Sequence, residues 1–280
     1  MNSNLKELSF QQVDVFSSER MGGNPLAVVV DADDLDTSTM AKFANWTNLS
    51  ETTFLLKPTV PDADYRVRIF TPHQELPFAG HPTLGSCHAW LTLGGKPKQP
   101  VVIQECQAGL IRIRRDGDIL SFLAPDLIRT GHIDNDLMKR VMSGLSLSPE
   151  MIVDASWVDN GPCWMALLLK SRDDVLRVRP NYQSISGLRV GLIAPCLGDV
   201  DGVDFEVRAF TAAGYEDPVT GSLNAGLAKW LISANLAPPS YIAAQGTVLG
   251  RSGRVHVRLE SEDIWVGGNV VTCINGKAIL

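Results

Sequence analysis

The 280-residue sequence predicts an α+β fold built from two similar halves, each rich in strands and each carrying one apolar helix. Three observations predict it. First, Arg68-Ile-Phe-Thr71 recurs as Arg208-Ala-Phe-Thr211, 140 residues on, and His81-Pro-x-x-Gly-Ser86 recurs as Asp217-Pro-x-x-Gly-Ser222, 136 residues on. Second, further matches follow in the same order: Gly23-Asn-Pro25 with Asn160-Gly-Pro162, Asp33-Asp-Leu35 with Asp173-Asp-Val175, and Trp90-Leu91 with Trp230-Leu231. One such match means little, but several in one register point to duplication of a whole domain, at a period far too long for a solenoid. Third, the first half alternates between β-type runs and turn residues, with a single helix of small apolar residues.

In order, Leu8 to Phe16 alternates like a strand, Met21-Gly-Gly-Asn-Pro25 is a turn, and Leu26 to Val30 is a second, apolar strand, so the two predict a hairpin. Asp36 or Thr37 caps a helix running to about Asn45. Asn48-Leu-Ser-Glu-Thr-Thr53 then leads into a strand from Phe54 to Lys57, which places Glu51 where a loop enters a strand. Tyr65 to Phe70 is a strand and His81 to Leu93 the apolar helix. Pro100 to Ile103, Ile111 to Arg114 and Ile119 to Leu123 are further strands. In each repeat a polar residue stands just before Pro, which reads as a helix start with His81 or Asp217 near the cap and Pro at the first helical position. Helix starts carry unpaired amides and partial positive charge, so two of them face to face would suit a carboxylate-bearing molecule.

With about 140 residues each, both halves can build a core. The boundary is expected near Ala124-Pro-Asp-Leu-Ile128, giving domains 1–124 and 125–280, ahead of an extra helix from Asn135 to Ser143. The closing strands, His256 to Leu259 and Val270 to Ile274, complete either half, and the last is allowed to return to the first domain.

Composition excludes several classes. A net charge of −6, with 45% hydrophobic and 20% charged residues, gives no broad basic face for nucleic acid. No run approaches the roughly 18 apolar residues of a membrane span, and the first ten residues lack a signal-like apolar stretch, so the cytoplasm is the expected location. Five cysteines, Cys87, Cys106, Cys163, Cys196 and Cys273, are odd in number with no Cys-x-x-Cys, and read as reduced thiols. His73, His88, His132 and His256 have no metal spacing, and neither Gly-x-Gly-x-x-Gly after a strand nor a Walker-type loop occurs, so no metal and no nucleotide cofactor is expected.

Several segments together resemble the signature set of the phenazine-biosynthesis isomerase (PhzF-like) family. They are Gly23-Asn-Pro-Leu-Ala-Val, Leu49-Ser-Glu-Thr, Arg68-x-Phe-Thr-Pro with Glu75-Leu-Pro-Phe-Ala-Gly-His-Pro-Thr-Leu-Gly, Asp217-Pro-Val-Thr-Gly-Ser and Gly246-x-x-x-Gly-Arg251. The resemblance spans essentially the whole chain. It implies a diaminopimelate epimerase-like fold, in which each half is a mostly antiparallel β-barrel-like sheet around a central helix and the active site lies in the cleft between them. It also implies that Glu51 carries a proton, that His81 and Asp217 share the catalytic work, and that Gly80, Gly221 and Ser222 hold the ligand.

The chemistry agrees with those residue types. Moving a proton on carbon needs a group that takes it up and returns it near neutral pH, and a carboxylate shielded from water is one such group. The ordinary readings are a solvated surface charge for Glu51 and satisfied helix caps for His81 and Asp217. Glu216, directly before Asp217, is expected to crowd it with like charge if both face one cleft. The epimerase relatives use paired cysteines as acid and base, and no Cys stands at either helix start here, since Cys87 lies six residues after His81. Two-thiol racemisation is therefore disfavoured. Arg251 would suit an anionic substrate, although an ordinary surface arginine is the better reading.

The function expected is a cofactor-independent isomerase of a small carboxylate-bearing molecule, acting by general acid/base proton transfer in a homodimer. The alternatives are an epimerase or lyase of an amino-acid-like acid and a small-molecule binding protein without turnover. Titratable groups at all three of Glu51, His81 and Asp217 argue against the last, because binding alone has no need of a proton carrier.

Overall fold

The structure is a computed structural model that describes residues 5–198 and 201–280. The chain forms two compact units, one taking in the chain up to Leu123 and again Gly267–Leu280, the other Ala124–Val266.

In the first unit, β1 (Glu7–Val15) and β2 (Asn24–Val29) form an antiparallel hairpin closed by Val15 opposite Asn24. α1 (Thr37–Thr47) carries the chain over to β3 (Thr52–Leu56), parallel to β2. Asp36 caps α1 by accepting the Thr39 amide at 2.7 Å, and Asn48 ends it in the left-handed conformation, φ 54°. β4 (Tyr65–Phe70) pairs antiparallel with β3, briefly with β5 (Glu75–Leu76), and in parallel with β6 (Val102–Cys106) across α2 (Gly80–Thr92). β7 (Gly109–Asp116) and β8 (Ile119–Leu123) complete a meander. Leu8, Val29, Met40, Phe54 and Phe70 fill the space between α1 and the sheet. α2 packs on β1, β2, β3, β6 and β8, and nine of its thirteen residues are buried. Its close seating requires Gly85, where a Cβ would stand 2.5 Å from Leu26 Cδ2.

The second unit runs β9 (Arg129–Gly131), α3 (Asn135–Leu145), β10 (Ile152–Asp159), β11 (Trp164–Leu169), α4 (Arg172–Arg177), β12 (Arg189–Pro195), β13 (Phe205–Phe210), β14 (Glu216–Asp217), α5 (Gly221–Ser233), β15 (Ser240–Gln245) and β16 (Gly253–Glu260). Pairings follow the order β9, β10, β11, β12, β13, β15, β16, with β14 added to β13. Of these, β11–β12 and β13–β15 are parallel. Val141, Leu145, Trp157, Leu167, Leu192 and Phe210 form its core.

β17 (Asp263–Ile279) begins in the second unit and ends in the first, where it pairs with β1 along Glu7–Val15 and with β8. The pairings of the first unit therefore run β1, β2, β3, β4, β6, β7, β8, β17 and back to β1, a mixed β-barrel.

Both helix starts differ from the sequence expectation. α2 begins at Gly80 with Ala79 as its N-cap, so His81 is the second helical residue and Pro82 the third. α5 begins at Gly221 with Thr220 as N-cap, while Asp217 lies in β14, four residues earlier. Asp217 is thus no helix cap. Proline fits anywhere in a first turn, because those amides have no intrahelical partner. The Glu216 carboxylate is turned to Arg208, which holds it through Nε to Oε1 at 2.9 Å and Nη2 to Oε2 at 2.7 Å.

Candidate active site

Glu51 sits in the last loop residue before β3, and His81 in the first turn of α2. The barrel brings them together: His81 Nδ1 lies 3.4 Å from Glu51 Oε2, with side chains 6% and 17% exposed. Burial pushes the His81 ring down to about 3, with the Pro25 carbonyl working in the opposite sense. The imidazole is therefore neutral at physiological pH, and its contact with the Glu51 carboxylate is not an ion pair. The other ring nitrogen, Nε2, is buried and has no hydrogen-bond partner in the fold. Gly80 is the first helical residue, where a backbone amide has no intrahelical partner.

The rest of the first unit fixes this turn. Gln104 on β6 donates through Nε2 to Thr83 Oγ1 at 3.0 Å and accepts from Tyr65 Oη at 3.0 Å, while Ser86 donates to Thr53 Oγ1 at 2.9 Å. Cys87 is buried among these groups, its thiol pushed up to about 12 by burial. A thiol so held is a poor proton acceptor near neutral pH.

Asp217, Gly221 and Ser222 belong to the second unit. The Asp217 carboxylate accepts from Thr220 Oγ1 at 2.5 Å. Gln245 at the end of β15 braces the loop: its Oε1 accepts from the Thr220 amide at 3.1 Å and Asn224 Nδ2 at 2.8 Å, and its Nε2 donates to the Asp217 carbonyl at 3.1 Å. Ser222 Oγ accepts from Trp164 Nε1 at 3.0 Å, and its carbonyl accepts from Asn160 Nδ2 at 2.9 Å. Arg251 follows a short turn in which its amide bonds the Gly246 carbonyl at 3.0 Å. Gln104, Thr220, Asn224 and Gln245 were not expected from the sequence; the one signal was a polar amide or hydroxyl inside an apolar run.

Among the described residues, no three His, Cys, Asp or Glu side chains converge as a metal site, and no helix is long and apolar enough to cross a membrane.

A family model described as phenazine biosynthesis-like protein matches residues 13–276. The chain is 38% identical to antisense-enhancing sequence 1 of Schizosaccharomyces pombe, over 99% of this chain and all of that one. It is 32% identical to the trans-2,3-dihydro-3-hydroxyanthranilate isomerase of Pseudomonas aeruginosa, over 96% of this chain and 98% of that one. Among solved structures, a phenazine biosynthesis protein of the PhzF family from Enterococcus faecalis superposes with a TM-score of 0.81 at 25% identity, covering 98% of this chain and 100% of that one.

Proposed function

The chain belongs to the phenazine biosynthesis-like family, whose named members include isomerases, and from that premise we propose that it is a cofactor-independent isomerase moving a proton on a small carboxylate-bearing molecule. The observation that carries this reading is the Glu51–His81 pair. A protonated imidazole would tie the Glu51 carboxylate into an ion pair. A neutral one orients it by one hydrogen bond and leaves it able to take up a proton from carbon and return it at a neighbouring position. His81 Nε2, buried without a partner, is then the acceptor for a hydroxyl or amino hydrogen of the substrate.

In this reading the amides at the start of α2, Gly80 first among them, bind a substrate carboxylate. For the second unit, the same reading gives Asp217 a part in proton handling and Gly221 and Ser222 a part in binding. The substrate named for the Pseudomonas aeruginosa relative is an anthranilate derivative, which carries such a carboxylate. Like arrangements in the two units support descent from one duplicated domain. They include the Arg68–Glu75 and Arg208–Glu216 pairs and the buried glutamines 104 and 245.

The test is turnover and isotope content with an accepted substrate, found by screening small cyclic carboxylic acids for deuterium uptake from heavy water. Glu51→Gln keeps the shape and cannot take up a proton, so kcat should fall by a factor of roughly 10² to 10⁴ with little change in affinity. His81→Ala and Asp217→Ala should lower both turnover and affinity. Full activity in Glu51→Gln overturns the assignment.

A further inference from the structure

We propose that two buried aspartates, Asp14 and Asp159, are positioning residues of the candidate site, each anchoring a turn between strands whose neighbouring residues hold the second residue of a buried helix. That residue is His81 in α2 and Ser222 in α5. The effect on turnover rests on the isomerase reading; the placement of the two side chains does not. Asp14 and Asp159 are 2% and 4% exposed. A carboxylate so far from water is costly unless donors surround it, and in both units a backbone amide of the following turn supplies one.

The second unit shows the device most fully. Asp159 ends β10, and its Oδ1 accepts the amides of Gly161 at 2.8 Å and Cys163 at 2.7 Å. The two residues held this way have φ of 132° and 63°, and the second is a conformation that a side chain opposes, so the turn needs an anchor. The anchored turn grips α5: Asn160 Nδ2 donates to the Ser222 carbonyl at 2.9 Å, and Trp164 Nε1 donates to Ser222 Oγ at 3.0 Å. An indole N–H only donates, so it occupies a lone pair of the hydroxyl and leaves the Ser222 O–H to donate elsewhere. Ser222 is thereby fitted to an anionic oxygen of a ligand.

In the first unit Gly23 stands where Cys163 does, each being the residue just ahead of the hairpin's second strand, β2 or β11. The Gly23 amide donates to Asp14 Oδ2 at 2.8 Å. The missing side chain lets this turn close, because a Cβ on Gly23 would lie 2.1 Å from the Val15 carbonyl oxygen. Two residues on, the Pro25 carbonyl lies against the His81 ring as a hydrogen-bond acceptor. The carboxylates themselves do not occupy matching positions. Asp14 lies opposite Pro25, whereas the residue opposite Met165, the counterpart of Pro25 in β11, is Trp157, two before Asp159. Different strand positions therefore supply a carboxylate to the same amide, which marks the anchoring of that amide as what both units require.

Alanine removes each anchor, and asparagine keeps one oxygen acceptor. In the folded, substrate-free protein, Asp159→Ala should move the Trp164 indole N–H signal in the proton–nitrogen spectrum, and Asp159→Asn should bring it back toward its wild-type position. Asp14→Ala and Asp14→Asn should do the same to the ring nitrogens of His81. With a cyclic acid identified by the deuterium screen, Asp159→Ala should raise KM about tenfold with kcat changed less, because a ligand contact is loosened. Asp14→Ala should instead lower kcat roughly tenfold to a hundredfold with KM changed less, because the imidazole beside Glu51 is misplaced. The asparagine variants should recover most of each loss. Trp164→Phe keeps the ring and removes only the donor, so it tests the second unit without depending on an aspartate variant that folds; KM should rise about threefold to tenfold. A merely structural role would lower the urea midpoint of the alanine variants while their folded fraction kept both signals, kcat and KM, and that result overturns the proposal. So does a Trp164→Phe variant with wild-type KM. Glu51→Gln judges the base assignment separately: full activity there, alongside shifted signals in the alanine variants, would remove the base and leave the anchors.

Discussion

In the first unit Arg68 holds Glu75 by two parallel hydrogen bonds of 2.7 Å, and in the second Arg208 holds Glu216 by the same fork. Each fork pins a two-residue strand, β5 or β14, to the strand before it, just ahead of the loop that enters the buried helix. The surroundings differ. Arg68 and Glu75 are 24% and 29% exposed, whereas Arg208 and Glu216 are 2% and 6% exposed. Arg208 spends its remaining donor on the carbonyls of Val175 and Val178, at 3.0 and 2.8 Å. The residue after the fork differs too: Leu76 in β5, Asp217 in β14. One device therefore serves two ends. In the first unit it tethers a loop on the surface, and in the second it fixes, from inside the core, the strand that carries a candidate catalytic carboxylate.

The comparison breaks most visibly at Glu216. Glu216→Ala leaves the Arg208 guanidinium buried and unpaired, which costs on the order of 3–5 kcal/mol. Urea unfolding should report a loss of that size, and turnover should fall as well, because β14 holds Asp217. A loss below about 1 kcal/mol would show that water reaches Arg208 and that burial does not distinguish the two forks.

The strands were the legible part of the fold. Tyr65–Phe70 and Ile119–Leu123 form as the pattern predicts, because their apolar alternation reports burial directly. β17 extends well beyond the expected Val270 to Ile274, since Gly267-Gly268 and Asn275-Gly-Lys277 interrupt its apolar run although both ends are paired in the sheet. The start of α2 was misplaced because a proline marks a first turn without saying which position in it, and that of α5 because Pro218 lies ahead of the Thr220 cap, outside the helix. At the candidate site, Glu51 and His81 were singled out by residue type and motif. Their 3.4 Å contact joins a strand entry to a helix start thirty residues away, and no local pattern encodes that. Gln104 and Gln245 escaped notice for a related reason: each is a lone amide in a strand, and its partners lie in distant segments.

A smaller effect tests what burial does at the start of α2. The His81 ring sits near 6.5 in the unfolded chain and about 3 in the folded one, so between those values the unfolded state binds a proton that the native state does not. The stability tied to keeping this ring neutral is complete above pH 6.5 and is lost as pH falls toward 3. From pH 7 to pH 5 the loss should be about 2 kcal/mol. His88 and His256 are also held below the usual histidine range by burial and add to it in the same direction. The comparison that isolates His81 is therefore the wild type against His81→Asn, with urea unfolding at both pH values. The variant should lose about 2 kcal/mol less over that interval, and equal losses would mean that water already reaches the imidazole in the native state.

The smallest effect belongs to the exposed fork. Arg68 and Glu75 gain little from Coulomb attraction where solvent screens them, and ordering two long side chains costs rotamer entropy, so such a pair is worth about 0.2–1 kcal/mol. Arg68 also reaches Thr37 Oγ1 at 3.0 Å, which ties the start of α1 to the same guanidinium. A single Arg68→Ala change therefore removes two tethers, and a double-mutant cycle with Glu75→Ala is needed to isolate the pair. The coupling energy should stay under about 1 kcal/mol and shrink further in molar salt, where the screening length falls to about 3 Å. The same cycle on Arg208 and Glu216 should give a larger coupling that salt barely changes, because bulk ions do not enter between groups so deeply buried. Two cycles of equal size and equal salt dependence would remove burial as the difference between the forks. Asp217 would then owe its placement to contacts such as those with Thr220 and Gln245 rather than to the buried fork.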